Sequence, residues 1–403
     1  MSEVIFHIGT GKTGTSSIQA FLYDNAGELA KVGVRYAQAG MYHPGKAQHL
    51  LSHKWGGWLS RHLPKGLDFD GFWRSLREEI EARPGRYIVS SERFTGLSVS
   101  RFGPQCIRYI RDALPGVEIK VIAYLRRQDD FLESVYKQGV KAGHIHVTPT
   151  DYLAEIPPYF AYDAVLAPWA EMFGEDAVSA RVYDRKRFLN GDLLQDFFDA
   201  CRIPWADGLV LPEAEANPSI SDLSARLIID LDLKTATGGP MLKRQVRAAF
   251  DSHPVKTGLF LAQTKHELME RCAPGNRAVA ARFIRTPAAL EAFAPRPPRA
   301  QDLVSFDDQE IAWSYLQTFA RLLLKVYGTR LLARAEGEAG AQQALAVILA
   351  QVPDDQRPAV DAIFAGLDTD AERPPMRYDG VLRGVRSFMA AAERVLAAPQ
   401  GTG

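Results

Sequence analysis

The sequence predicts an α/β chain: a parallel sheet flanked by helices, with additional helices toward the C-terminus. Three observations carry this. Four short runs rich in β-branched and aromatic residues occur before residue 184. Helical apolar spacing lies between them, the alternation expected of parallel strands joined by right-handed crossovers. From about Ser219 onward the spacing is helical throughout.

The first run, Val4 to Ile8, is followed at once by the glycine turn Gly9-Thr10-Gly11-Lys12-Thr13-Gly14-Thr15, and then by a helix whose apolar face is Ile18, Phe21 and Leu22. The second, Tyr87-Ile88-Val89, ends in Ser90-Ser91-Glu92. The third, Ile119 to Leu125, ends in Arg126-Arg127 and leads into a helix over Asp129 to Lys141. The fourth, Val178 to Tyr183, follows a helix over Tyr162 to Phe173. Later helices are expected over Leu223 to Leu233, Leu242 to Phe250, Leu259 to Arg271 and Ile311 to Tyr327. This pattern predicts one α/β domain over 1–330, with a lid or acceptor segment at about 40–75 and a helical part at about 219–330. An Ala-rich helical extension over 331–403 completes the chain and is equally suited to a cap, an oligomer contact or a partner surface.

Composition limits the function classes. The chain has 403 residues, 46% hydrophobic and 24% charged, enough to build a large core and to exclude disorder or a disulfide-knotted miniprotein. Lys+Arg and Asp+Glu are both 48, so no global field attracts nucleic acid or an anionic membrane, and any anion site must be local. The three cysteines, Cys106, Cys201 and Cys272, fall in no metal or redox spacing. With no apolar run near the ~20 residues of a membrane span and no signal-peptide pattern, a cytoplasmic location is expected.

A glycine turn between strand and helix aims several backbone N–H groups at one spot, and the helix start adds about half a positive charge there. An anion belongs in that spot. Lys12 supplies a mobile charge, and Thr13, Thr15 and Ser16 supply hydroxyls. The nucleoside triphosphate pattern GxxxxGK[ST] fails by one residue, because Phe6 stands where the first glycine is required. A kinase would also need a magnesium-holding Asp at a strand end, for which Asp184 is the candidate. Ligands in parallel sheets bind beyond the carboxyl ends of the strands, and three strand ends here carry chemistry: the glycine loop, Glu92 and Arg126.

His7-Ile8-Gly9-Thr10-Gly11-Lys12-Thr13-Gly14-Thr15-Ser16-Ser17-Ile18-Gln19 resembles the phosphosulfate-binding loop of sulfotransferases that use 3′-phosphoadenosine 5′-phosphosulfate (PAPS), especially the bacterial branch with its P-loop-like fold. Tyr124-Leu125-Arg126-Arg127-Gln128-Asp129-Asp130-Phe131-Leu132-Glu133-Ser134-Val135-Tyr136 resembles that family's second signature. The resemblance implies that Arg126 and Ser134 clasp the 3′-phosphate, that Lys12 stabilises the bridging oxygen of the leaving phosphate, that 3′-phosphoadenosine 5′-phosphate (PAP) is the product, and that no metal is required. Gly275-Asn276-Arg277 looks like a later segment of the family, placing Asn276 and Arg277 near the 3′-phosphate. Two departures stand out. Gln128 occupies a position where many relatives carry Pro, and Ile18 stands where the cytosolic branch has an adenine-stacking Trp; the adenine contacts therefore stay open, with Tyr183 one candidate.

Sulfuryl transfer to a hydroxyl or amine needs a group to accept the proton. The resemblance implies a catalytic His or Glu at or near the strand end where Glu92 stands, so Glu92 is preferred, with its pKa raised by burial, and His49 and His7 are the rivals. The segment holding His43, His49, His53, Trp55, Trp58, His62 and Trp73 matches no zinc spacing. Its indoles suit stacking on a sugar as well as they suit a core. The run Arg74 to Arg83 fits a solvated helix face with i,i+4 pairs Arg74/Glu78 and Glu79/Arg83. The expected acceptor is a small molecule, lipid or saccharide; the other readings are a P-loop kinase using ATP and Mg²⁺, and a nucleotide-responsive binding protein without turnover.

Overall fold

The computed structural model describes residues 2–42, 46–55, 66–154, 156–206, 208–212, 219–233, 239–254, 258–284, 291–294, 296–335, 337–368 and 376–398. His43, Trp58 and His62 lie outside them, as does the side chain of Trp55. By their contacts the residues fall into two compact units. The first comprises 1–135, 156–217 and 266–296, and the second 136–155, 218–265 and 297–403.

The first unit holds one five-stranded, wholly parallel sheet: β1 (Glu3–His7), β2 (Val34–Tyr36), β3 (Arg86–Ser90), β4 (Glu118–Leu125) and β5 (Val178–Val182), in the order β2-β3-β1-β4-β5. Four strands stand where the apolar runs predict them. The addition is β2, whose three residues are too short to print a strand signature. Val4, Phe6, Ile88, Val89, Val121, Ala123 and Leu125 are all inaccessible to solvent, which is why these strands read as continuous apolar runs.

Sheet order sets up the site. β1 lies between β3 and β4, with His7 opposite Ser90 on one side and Ile122 on the other. The loop after β1, the turn after β3 and the turn after β4 therefore emerge side by side, at the place where connections leave the sheet in opposite directions. The loop opens the helix α1 (Thr15–Asp24), whose Ile18, Phe21 and Leu22 are buried as the sequence predicts.

The helix Phe69–Ala82 is capped by Asp68, which accepts the Gly71 N–H, and it covers the other face with Phe69, Trp73, Leu76 and Ile80. Trp73 belongs to the core. It is 1% exposed, its ring stacks on Phe6 with centroids 6.3 Å apart, and its Nε1 donates to the Leu51 carbonyl at 3.0 Å. It is not a sugar platform. On the solvated face Arg77 pairs with Glu81 at 2.7 Å, and Glu79, expected to pair with Arg83, accepts the backbone N–H groups of Gln38 and Ala39.

The second unit is helical. It includes Asp222–Asp230, Gly239–Phe250, Trp313–Leu323, Gly337–Ala350, Arg357–Ala365 and Tyr378–Ala397, with a π-helical turn at Leu324–Gly328 that interrupts the run expected over Ile311 to Tyr327. Its buried Asp230 accepts the Tyr378 hydroxyl at 2.5 Å and Arg226 Nε at 2.6 Å. Residues 218–265 and 297–330 fall in the same unit as the Ala-rich C-terminal segment. Among the described residues no helix is long and apolar enough to cross a membrane.

Trp73→Ala removes an indole from the layer around Phe6, together with its bond to the Leu51 carbonyl. It should lower unfolding free energy by about 3–5 kcal/mol in chemical denaturation. A loss below about 1 kcal/mol would mean that the indole is not core.

Candidate active site

The glycine loop is anchored before it turns. Ile8 N donates to Ile122 O, Tyr124 N to Gly9 O at 2.6 Å, and Thr10 N to Tyr124 O at 2.9 Å, so the β1–β4 ladder continues two residues past the strand. Gly9 sits at φ 100°, and a Cβ there would lie 2.9 Å from Glu92 Cβ. Beyond Thr10 the chain takes the left-handed conformation at Lys12 (φ 63°) and again at Gly14 (φ 73°), where a Cβ would lie 2.3 Å from Leu193 Cδ2. Glycine is required at Gly9 and Gly14. No side chain caps α1 and no acidic residue occupies its first turn, so the positive end of the helix faces the loop uncompensated.

The hydroxyls divide differently from the expectation. Thr13 Oγ1 donates to the Thr10 carbonyl at 2.5 Å and Thr10 Oγ1 to the Tyr124 carbonyl at 3.1 Å, so each has its single hydrogen engaged in holding the loop. Thr15 is buried at the helix start, whereas Ser16 is exposed. Gly11, Lys12 and Gly14 are half-buried and Ser16 is exposed, so the loop and the start of α1 reach solvent.

Arg126, just past β4, donates from Nη1 to the Lys12 carbonyl at 3.3 Å. Its guanidinium lies 5.8 Å from the centroid of the Tyr183 ring, and its own carbonyl is held by the Tyr162 hydroxyl at 2.6 Å. Tyr183 N donates to Leu125 O at 2.7 Å, and its ring borders Gly14. Lys12, Gly14, Arg126 and Tyr183 thus share one rim. Ser134 stands in the second turn of the helix Gln128–Ala142, half-buried.

Three neighbours have structural duties. Arg127 is 3% exposed, makes a bidentate pair with Asp129 through Nε (3.0 Å) and Nη2 (2.8 Å), and donates to the Ala292 and Ala294 carbonyls. Asn276, expected near the 3′-phosphate, is buried and bonded to Gln128. Its Oδ1 accepts from Gln128 Nε2 at 2.7 Å and its Nδ2 donates to Gln128 Oε1 at 3.1 Å, engaging both ends of the amide. Gln128, the departure from proline, is thus the partner of Asn276, and Arg277 beside it is exposed. Asp184, the residue a magnesium site would need, lies 3.6 Å from Arg296 and 3.9 Å from Arg187.

Glu92 follows β3 and borders the loop. Its Oε2 accepts Gln19 Nε2 at 3.0 Å, and its Oε1 lies 3.8 Å from His49 Nε2. Burial pushes the carboxyl up, but His49, the Gln19 amide, a backbone N–H and Arg93 together hold it below the ordinary carboxylate value. The expected upward shift is therefore reversed. Burial lowers His49 below the ordinary imidazole value against the pull of Glu92, with Arg93 adding to the lowering, and its Nδ1 bonds the Ser91 hydroxyl at 2.8 Å. The pair at neutral pH is a carboxylate beside a neutral imidazole.

His7 is fully buried on β1, its Nδ1 2.8 Å from Ser90 Oγ, and burial lowers it to about 4 although Glu92 pulls the other way. It underlies the loop and is no rival base. Sequence reasoning missed Gln19, Ser90 and Ser91. The one signal available was that Gln19 falls beside Ile18 on the inward side of α1.

His7 makes a pH prediction. Its folded value of about 4 lies below 6.5, so the neutral ring stabilises the fold fully above pH 6.5, and that contribution is lost as pH falls through about 4. The loss is roughly 3 kcal/mol. His7→Asn, which keeps a polar group toward Ser90, should flatten the difference between pH 7 and pH 4 in urea denaturation. A variant with the wild-type pH slope would contradict it.

No family model matches the chain. An uncharacterised protein of Archaeoglobus fulgidus is 39% identical over 142 residues, which are 34% of this chain and 35% of that protein. The chain thus spans about a third of that relative's length. Among solved structures, a sulfotransferase from Alicyclobacillus acidocaldarius is similar with a TM-score of 0.43 and 15% identity, covering 72% of this chain and 99% of that one.

Proposed function

We propose that the chain is a PAPS-dependent sulfotransferase acting on a hydroxyl or amine. The observation that carries this is the Arg126 guanidinium donating to the Lys12 carbonyl: two cationic residues from different strand ends meet on the rim where α1 presents an uncapped N-terminus. A nucleotide phosphorylated at two positions needs two anion sites within its own span, and one local basic rim on a chain of zero net charge supplies them.

On this reading the amides of the loop and Lys12 hold the phosphosulfate, and Lys12 offsets charge building on the leaving phosphate. Arg126 and Ser134 hold the 3′-phosphate. Tyr183, already facing the Arg126 guanidinium, offers its ring to adenine. The acceptor's proton goes to Glu92, which is ionised at neutral pH and stands against Gly9 of the loop. His49, neutral and 3.8 Å away, is placed to share the proton, where the carboxylate would stabilise the imidazolium.

PAP at a hundred times its Kd should stabilise the chain by about 2.7 kcal/mol in a thermal or chemical melt, independently of Mg²⁺. Arg126→Ala should abolish that gain. Glu92→Gln should keep it and reduce sulfuryl transfer to a panel of alcohols, saccharides and amines by about 10²–10⁴-fold. Stabilisation by Mg·ATP alone would replace the reading with a kinase, and PAP binding without transfer would replace it with a binding protein.

A further inference from the structure

Glu92 borders the loop, but something else decides where its carboxylate points. Gln19 is 2% exposed and reaches from α1 across to the end of β3. Its Nε2 donates twice, to Glu92 Oε2 at 3.0 Å and to Ser90 Oγ at 3.3 Å. Ser90 Oγ is in turn bonded to His7 Nδ1 at 2.8 Å beneath the loop. An amide nitrogen has two hydrogens, and both are directed here. The opposite amide orientation would set Oε1 against the carboxylate, so the charge of Glu92 fixes which way Gln19 lies, and Gln19 fixes Glu92.

We propose that Gln19 is the positioning residue of the site, fastening the Glu92 carboxylate to the His7–Ser90 pair so that Oε2 is held and Oε1 is left toward His49. This rests on the sulfotransferase reading only for what the carboxylate then does. A carboxylate on a rotatable side chain loses catalytic effect when displaced by a fraction of its reach. An uncharged donor, unlike a lysine or arginine, holds it without forming a full ion pair that would compete with its interaction with His49. Among the described residues, the titratable groups that act electrostatically with Glu92 include His49, Arg93, His7 and Tyr36, and the hydrogen bond to its Oε2 comes from Gln19.

The test is a ¹³C NMR pH titration of the Glu92 carboxyl in the full chain, with the resonance assigned by its loss in Glu92→Gln. Gln19→Leu, close in size and without donors, should move the titration midpoint upward, because a charge-assisted bond to the ionised form is removed. Ser90→Ala keeps the Gln19–Glu92 bond and should leave the midpoint near the wild-type value. Should Gln19→Leu fail to fold, Gln19→Asn, one methylene too short to reach, gives the same reading. An unmoved midpoint in either folded Gln19 variant overturns the proposal, and so does failure of both to fold, which would make Gln19 a core residue. A melt with PAP on the same samples separates the two ideas. Wild-type protein that ignores PAP defeats the sulfotransferase reading while the titration still decides the role of Gln19.

Discussion

The site depends on Tyr124. Its backbone N–H and carbonyl hold Gly9 and Thr10, lengthening the β1–β4 ladder past the end of β1 and fixing the height at which the loop leaves the sheet. Arg126 lies two residues along the same strand, so where the loop is pinned also determines which loop carbonyl the guanidinium meets. The Tyr124 side chain faces the sheet's other interests, donating to the buried Asp196 at 2.6 Å. One residue thereby ties the loop, through its backbone, to the packing beneath β4 and β5. The left-handed turns at Lys12 and Gly14 follow from this anchor, because the chain must reverse from the ladder into α1 within a few residues.

Beneath the loop lies an uncharged polar layer in which His7, Ser90 and Gln19 are bonded to one another and almost wholly buried. Buried polar groups are tolerable when their hydrogen bonds are made, and the histidines solve the remaining problem by staying neutral. His7 Nε2 keeps no hydrogen-bond partner among the described residues, a cost the layer carries in order to hold the carboxylate above it. Ionised Glu92 at the rim and neutral His7 below form a graded boundary between core and solvent.

Much of the fold was legible in sequence because its signals are local. Val4 to Ile8, Tyr87 to Val89 and Ile119 to Leu125 announce buried strands by composition, and the glycines around Lys12 announce the tight turn into α1. What was illegible is pairing at long range. Gln19 and Glu92 are 73 residues apart, His7 and Ser90 83, and Lys12 and Arg126 114, and no periodicity relates them. The same limit hid the bond of the Asn276 amide to Gln128, 148 residues away. Trp73 was ambiguous for another reason: an indole on an amphipathic helix carries the same sequence pattern whether its face meets a sugar or Phe6.

The acidity of Glu92 shows two physical effects in opposition. Burial alone would raise the carboxyl toward the strength wanted of a neutral-pH base, which was the expectation from its place at a strand end. The structure surrounds it with groups that favour the ionised form, and they prevail. A base made weak in this way acts through placement rather than proton affinity. On the proposed reading the neighbouring imidazole, kept neutral by burial and bonded to Ser91, shares the proton that Glu92 accepts, and the carboxylate would stabilise its protonated form. At 3.8 Å the two groups are near enough for charge to be felt and too far apart for a resting hydrogen bond between them.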